Sequence, residues 1–177
     1  MRSVIQIVII GMLASLTLAS QVIMSFLPNV EIVTLLMIIY AISLPKGNAF
    51  FIVITFTILE GLVWGFGDWV FGYFWIWNLL VLLVTLLSPI IKDNNDGWAI
   101  FAGLWGLIFG LLFAIQWAAL YGITAGYAYW LKGLTFDIIH MVSNYIIVLL
   151  LYQPISRQFR KLYDRLEGSY GNHNQKR

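Results

Sequence analysis

The sequence predicts an all-α membrane protein, a bundle of six transmembrane helices with cytoplasmic N and C termini. Three observations predict it. Hydrophobic residues make up 61% of the 177 and charged residues only 10%, against roughly 25% charged in an ordinary soluble domain. The apolar residues lie in runs approaching the roughly 20 residues that a helix needs to cross the hydrocarbon core. Between the runs stand prolines, glycines and short polar stretches that end helices.

The first run covers residues 4–26 and stops at Leu27-Pro28-Asn29, where proline lacks an amide donor and restricts its predecessor. Its length favours a first spanning helix over a signal peptide. The second covers 30–44 and ends at Pro45-Lys46-Gly47-Asn48; the third covers 49–65, before the turn Gly65-Phe66-Gly67-Asp68. The fourth continues to Ile91, and Lys92-Asp93-Asn94-Asn95-Asp96-Gly97 reads as a loop in water. The fifth covers 98–121. Residues 122–133 are mixed, aromatic and glycine-containing, either a broken continuation or a loop folded over the bundle. The sixth covers 134–152 and ends before Pro154. The spanning domain is thus residues 1–155. Residues 156–177 form a cytoplasmic basic tail in which Ile155, Phe159, Leu162, Tyr163 and Leu166 alternate with Arg157, Arg160, Lys161 and Arg165, the pattern of an amphipathic helix on a membrane surface. Residues 168–177 read as disordered.

Lysine and arginine set the orientation. With both termini inside, Arg2, Lys46, Lys92, Arg157, Arg160, Lys161, Arg165, Lys176 and Arg177 lie inside and only Lys132 outside. The turns near Pro28, Asp68 and Lys132 are then extracytoplasmic.

Ionisable groups in a span cost a few kcal/mol each, about 2.5–3.5 at the helix centre on the lenient scale, so they face cavities or one another. Here Glu31, Glu60, Asp68, Asp137 and His140 all fall near the outer side, and Asp137, His140 and Asn144 are spaced to share one helix face. They suggest a polar pocket; helix-to-helix hydrogen bonds that only hold the bundle together are the other reading. Trp64, Trp69, Tyr73, Trp75 and Trp77 cluster around the third connection, and Trp117, Tyr121, Tyr127, Tyr129 and Trp130 around the fifth. An interfacial aromatic belt explains many of them, whereas a flat ligand stacked on several explains their scarcity near Lys46 and Lys92. The small-residue stripes Gly11, Ser15, Ala19 and Gly103, Gly106, Gly110, Ala114 permit close helix approach, within this bundle or to a partner.

With no cysteine, disulfides, thiolate metal sites and a cysteine nucleophile are excluded. No nucleotide-binding loop, Gly-x-Ser-x-Gly elbow or His-Glu-x-x-His pair occurs, so the chain reads as no enzyme, with no cofactor of its own.

The stretches Leu27-Pro28-Asn29-Val30-Glu31-Ile32-Val33-Thr34 and Gly133-Leu134-Thr135-Phe136-Asp137, with His140 and Asn144 beyond, resemble segments of an uncharacterised branch of the substrate-binding S components of energy-coupling factor (ECF) vitamin transporters. The resemblance covers nearly the whole chain. It implies a multi-pass subunit in a bacterial plasma membrane that captures a vitamin-like micronutrient outside. Its partners would be a transmembrane coupling subunit and two ATPases, which alone use ATP. The outer polar and aromatic cluster puts substrate contacts at Asn29, Glu31, Glu60, Trp64, Asp68, Trp117, Tyr121, Asp137, His140 and Asn144, and the resemblance puts the coupling contact at Gly11, Ser15 and Ala19, where the family pattern has alanines. Four acids and one lysine near the mouth disfavour a strongly anionic cargo. Cobalamin-, pyridoxine- or thiamine-like compounds, tryptophan or a queuosine precursor fit better. The alternative is a stand-alone ion-coupled secondary transporter with Glu60, Asp137 and His140 as a proton relay. A membrane-embedded enzyme using Glu60 and His140, and a purely structural protein, are weaker readings.

Overall fold

The computed structural model describes the backbone of residues 4–174 and the side chains of 4–166. Six helices and no strand occur among the described residues: α1 Val4–Met24, α2 Val33–Ser43, α3 Asn48–Trp64, α4 Asp68–Ile91, α5 Asn95–Tyr121 and α6 Ile123–Asn174. Four of them, α1, α4, α5 and α6, are long and apolar enough to cross a membrane. The other two, of 11 and 17 residues, rise only about 17 and 26 Å at 1.5 Å per residue. The expected second span is thus shortened. Its first residues form an irregular connection, and Glu31, rather than the Ile32 side chain, supplies the cap by accepting from the Thr34 amide at 2.8 Å.

Burial explains why an 11-residue helix suffices. Residues 33–40 of α2 are buried without interruption, because α1, α3, α4 and α6 all pack against it. The core around it holds Tyr40, Phe56, Trp77, Trp98 and Trp105. In contrast, α1 buries only Ile10, Ala14 and Thr17, and packs chiefly on α3.

The largest helix interface joins α5 to α6. One residue, Gly122, separates them; its φ of 93° is open to glycine and strained for other residues, and it lets the chain reverse within a single step. The returning helix then runs antiparallel along a glycine seam. A Cβ on Gly103 would stand 3.3 Å from the Cβ of Tyr145, one on Gly106 2.7 Å from the His140 backbone, and one on Gly110 would strike the Asp137 carboxylate. The fifth-segment stripe is therefore consumed inside the bundle. The first-helix stripe is not: Ser15 and Ala19 are exposed, and a Cβ on Gly11 would meet nothing within 4 Å.

Several sequence expectations need correction. Residues 95–97, expected in a loop, open α5, with Asn94 as the cap that accepts from the Gly97 amide. Residues 123–133 are the first turns of α6, neither a loop nor a broken helix. The sixth helix passes through Pro154 instead of stopping before it. Proline removes one helical hydrogen bond, and anchors on both sides hold the helix: Asn95 donates to the Leu149 carbonyl at 2.7 Å, Arg160 to Asp93 at 3.0 Å. The amphipathic tail is the continuation of α6, with part of its apolar face spent on the bundle. Phe159 meets Tyr40 at 5.5 Å between ring centres, Tyr163 is buried, and Leu162 and Leu166 stay exposed. The backbone expected to be disordered from 168 is helical through 174; residues 175–177 lie outside the described ones.

The seam yields a prediction. Gly106→Ala must push two backbones apart and should cost roughly 1–3 kcal/mol, the usual range for overpacking, whereas Gly11→Ala enters open space. Thermal melting of the detergent-purified variants checks it: a clear drop in Tm for the first only.

Candidate ligand-binding cavity

At the end of the bundle marked by the Gly65 and Gly122 turns, the 25–32 connection folds over the mouths of α3, α4, α5 and α6. A cavity of two lobes opens there. The first, about 340 Å³, is lined by Gln21, Asn29, Glu31, Glu60, Trp64, Trp69, Tyr73, Trp77, Phe109 and His140, with Met24, Ser25, Leu27, Pro28 and Val30. The second, about 540 Å³, is lined by Gly110, Phe113, Tyr129, Lys132, Gly133, Phe136 and Asp137. Asn29, Trp69, Tyr73 and Phe109 belong to both and form the shared wall. Volumes of this order suit small-molecule ligands.

The polar lining is organised in two groups. In one, Glu31 is saturated. Its Oε2 accepts from the Thr34 amide at 2.8 Å, and its Oε1 accepts the Thr34 hydroxyl at 2.6 Å and lies 3.1 Å from His140 Nε2. The same Thr34 hydroxyl oxygen accepts from Asn144 Nδ2 at 3.1 Å, and the His140 ring stands edge-on to Phe109 at 5.0 Å. A helix N-terminus, a carboxylate, an imidazole and an amide are thereby locked together across α2 and α6. In the other group, Gln21 on α1 reaches Glu60 Oε2 at 3.3 Å and the Tyr73 hydroxyl at 3.4 Å. Both bonds are long, and Glu60 Oε1 is buried without a hydrogen-bond partner among the described residues. The Asp137 carboxylate accepts from the Gly110 amide at 2.9 Å through Oδ1, while Oδ2 is also unpartnered.

Asp137, His140 and Asn144, spaced to share one face of the sixth helix, are all buried there. Of the ten expected contact residues, Asn29, Glu31, Glu60, Trp64, Asp137 and His140 line the cavity. Asn144 lies one turn beneath, bonded to Thr34. Asp68, Trp117 and Tyr121 do not line it. Asp68 is exposed and bonded to the Tyr121 hydroxyl, and its backbone carbonyl accepts from Gln116, whose own side chain accepts from Trp75. These groups form a bracket between the start of α4 and the end of α5. Trp117 stacks on Tyr129 at 5.3 Å, one layer behind the second lobe. The aromatic contrast between the two ends is also softer than expected, since buried Trp98 donates to the Lys92 carbonyl at 2.7 Å.

Gln21, Thr34 and Phe109 were not among the expected contacts. Gln21 carries a signal, being a polar residue inside an apolar run; Phe109 carries none. No family model, curated protein or solved structure matches this chain.

Thr34→Val keeps the shape but strips the hydroxyl that serves both Glu31 and Asn144. The loss of hydrogen bonds to buried groups should cost roughly 1–3 kcal/mol, read as a lowered Tm in detergent. Thr34→Ser, which restores the hydroxyl, should recover most of it.

Proposed function

We propose that this chain is the substrate-binding S component of an ECF-type importer, crossing a bacterial plasma membrane with both termini inside and its two-lobed cavity facing out. The observation that carries the reading is the cavity: carboxylates from α3, α6 and the 25–32 connection, two of them with an unpartnered buried oxygen, set among aromatic rings. Helix-to-helix hydrogen bonding alone leaves no reason to keep unmatched oxygens beside a space large enough for a small molecule. The distribution of lysine and arginine supports the orientation. In this reading α2 and α3 complete six crossings together with their flanking connections.

The outward face of α1 supports the partner half of the proposal. Gly11, Ser15 and Ala19 are spaced by four and unused by the bundle, leaving a narrow track on which another helix can approach closely in lipid. A coupling subunit is the partner assigned to it, with two ATPases supplying the energy. The cargo is a vitamin or related micronutrient.

Two results are expected. Chain purified in detergent from cells in rich medium should carry a stoichiometric small molecule identifiable by mass spectrometry, and Asp137→Asn or Glu60→Gln should reduce its occupancy. Ser15→Trp or Ala19→Trp should abolish uptake while leaving binding intact; uptake that survives both removes the coupling assignment.

A further inference from the structure

The three carboxylates of the cavity differ in what remains for a ligand. Glu31 has both oxygens occupied by Thr34 and His140. Asp137 shares the second lobe with Lys132. Glu60 stands in the first lobe, where no lysine or arginine lines the wall; it is 1% exposed, its Oε2 has a long contact from Gln21, the Trp64 side chain stands beside the carboxylate as a further donor, and its Oε1 makes no well-formed hydrogen bond among the described residues. An unpaired charge in such a place costs several kcal/mol by order of magnitude. A partner that brings positive charge removes that cost.

The surrounding rings favour the same partner. Trp64, Trp69, Tyr73 and Trp77 line the lobe with Glu60, and Tyr73 meets Trp69 edge-on at 5.2 Å and Trp77 at 6.0 Å. Mutually perpendicular rings present π-faces in more than one direction, and such faces attract a cation and repel an anion. Trp77 Nε1 is itself buried and unpartnered, a donor for an acceptor atom on a ligand ring.

We propose that the first lobe selects an organic cation: a protonated or quaternary amine joined to a flat ring, its charge seated on Glu60 and its ring held by Trp64, Trp69, Tyr73 and Trp77. This rests on the reading of the cavity as a binding site and adds the charge class of the ligand and the carboxylate that recognises it. A carboxylate ligand is repelled by Glu60, and a neutral one can donate to that oxygen but leaves its charge uncompensated.

The test holds the ring constant and varies the charge. Phenyl, pyridyl and indolyl compounds, each bearing an aminoethyl, a hydroxyethyl or a carboxyethyl arm, are titrated into the detergent-purified full chain by thermal shift and calorimetry. For at least one ring the amine should bind about tenfold or more tighter than its alcohol and carboxylate counterparts. Glu60→Gln should erase that preference by bringing the affinity for the amine down to that for the alcohol. A preference for the alcohol or the carboxylate overturns the cation assignment and leaves the binding reading intact. Amine preference that survives Glu60→Gln overturns the seat. No binding by any compound, together with no co-purifying molecule, overturns both readings. Should Glu60→Gln not fold, the ranking on the unaltered chain decides the charge class, and loss of amine affinity in Trp69→Leu decides the ring wall.

Discussion

The absence of side chains along one face of α5 sets the distance at which α6 can lie, and the rest of the site follows from that distance. At Gly106 the His140 backbone lies within 2.7 Å of where a Cβ would stand; with any larger residue there, α6 would sit further out. That shift would carry Asp137 away from the Gly110 amide and His140 away from Glu31. In lipid there is no hydrophobic drive to bring two apolar helices together, so close packing and a few hydrogen bonds must do it. The Asp137 bond to a mid-helix amide is one of these, possible because Gly110 leaves the backbone uncovered.

Bound to this seam is the lock between α2 and α6. Glu31 does two things with one carboxylate: it caps the short central helix through the Thr34 amide and faces His140 from the next layer. A negative group at a helix N-terminus is favoured by the helix dipole, so the irregular chain before α2 is tied down at the point where it covers the cavity. Glu60 stands in contrast. Its hydrogen bond to another helix is the long one from Gln21 on α1, so it ties the bundle far more loosely than Glu31 does.

Much of the architecture was legible from apolar runs and their punctuation, because helix ends in this chain coincide with Gly47, Gly65 and Gly122, and Pro28 falls within the connection between α1 and α2. The errors came where tertiary contacts override a local signal. Pro154 reads as a stop, yet anchors from Asn95 and Arg160 carry the helix through it. Residues 123–133 read as mixed, yet α6 begins at once because Gly126 packs tightly on Ala114 and Ala118 of α5. In the site, the shared face of Asp137, His140 and Asn144 was readable from spacing alone. Distinguishing Glu31 from Glu60 was not, since it depends on Thr34 and Gln21, which reach them from α2 and α1. Asp68 and Tyr121 are polar and aromatic in the right region, but bond to each other.

Between Asp137 at the cavity wall and Tyr163, packed at the far end of the bundle, α6 is unbroken. Those 26 residues measure about 39 Å at 1.5 Å per residue. A straight helix of that length behaves as a lever: a tilt of about 5° applied at Tyr163 displaces the other end by roughly 3 Å, enough to break every hydrogen bond Asp137 and His140 make. Pro154 is the one joint along the arm. Its stiffness, set by the Asn95 and Arg160 anchors, therefore determines how much of any force on the basic tail arrives at the cavity as motion and how much is absorbed as bend.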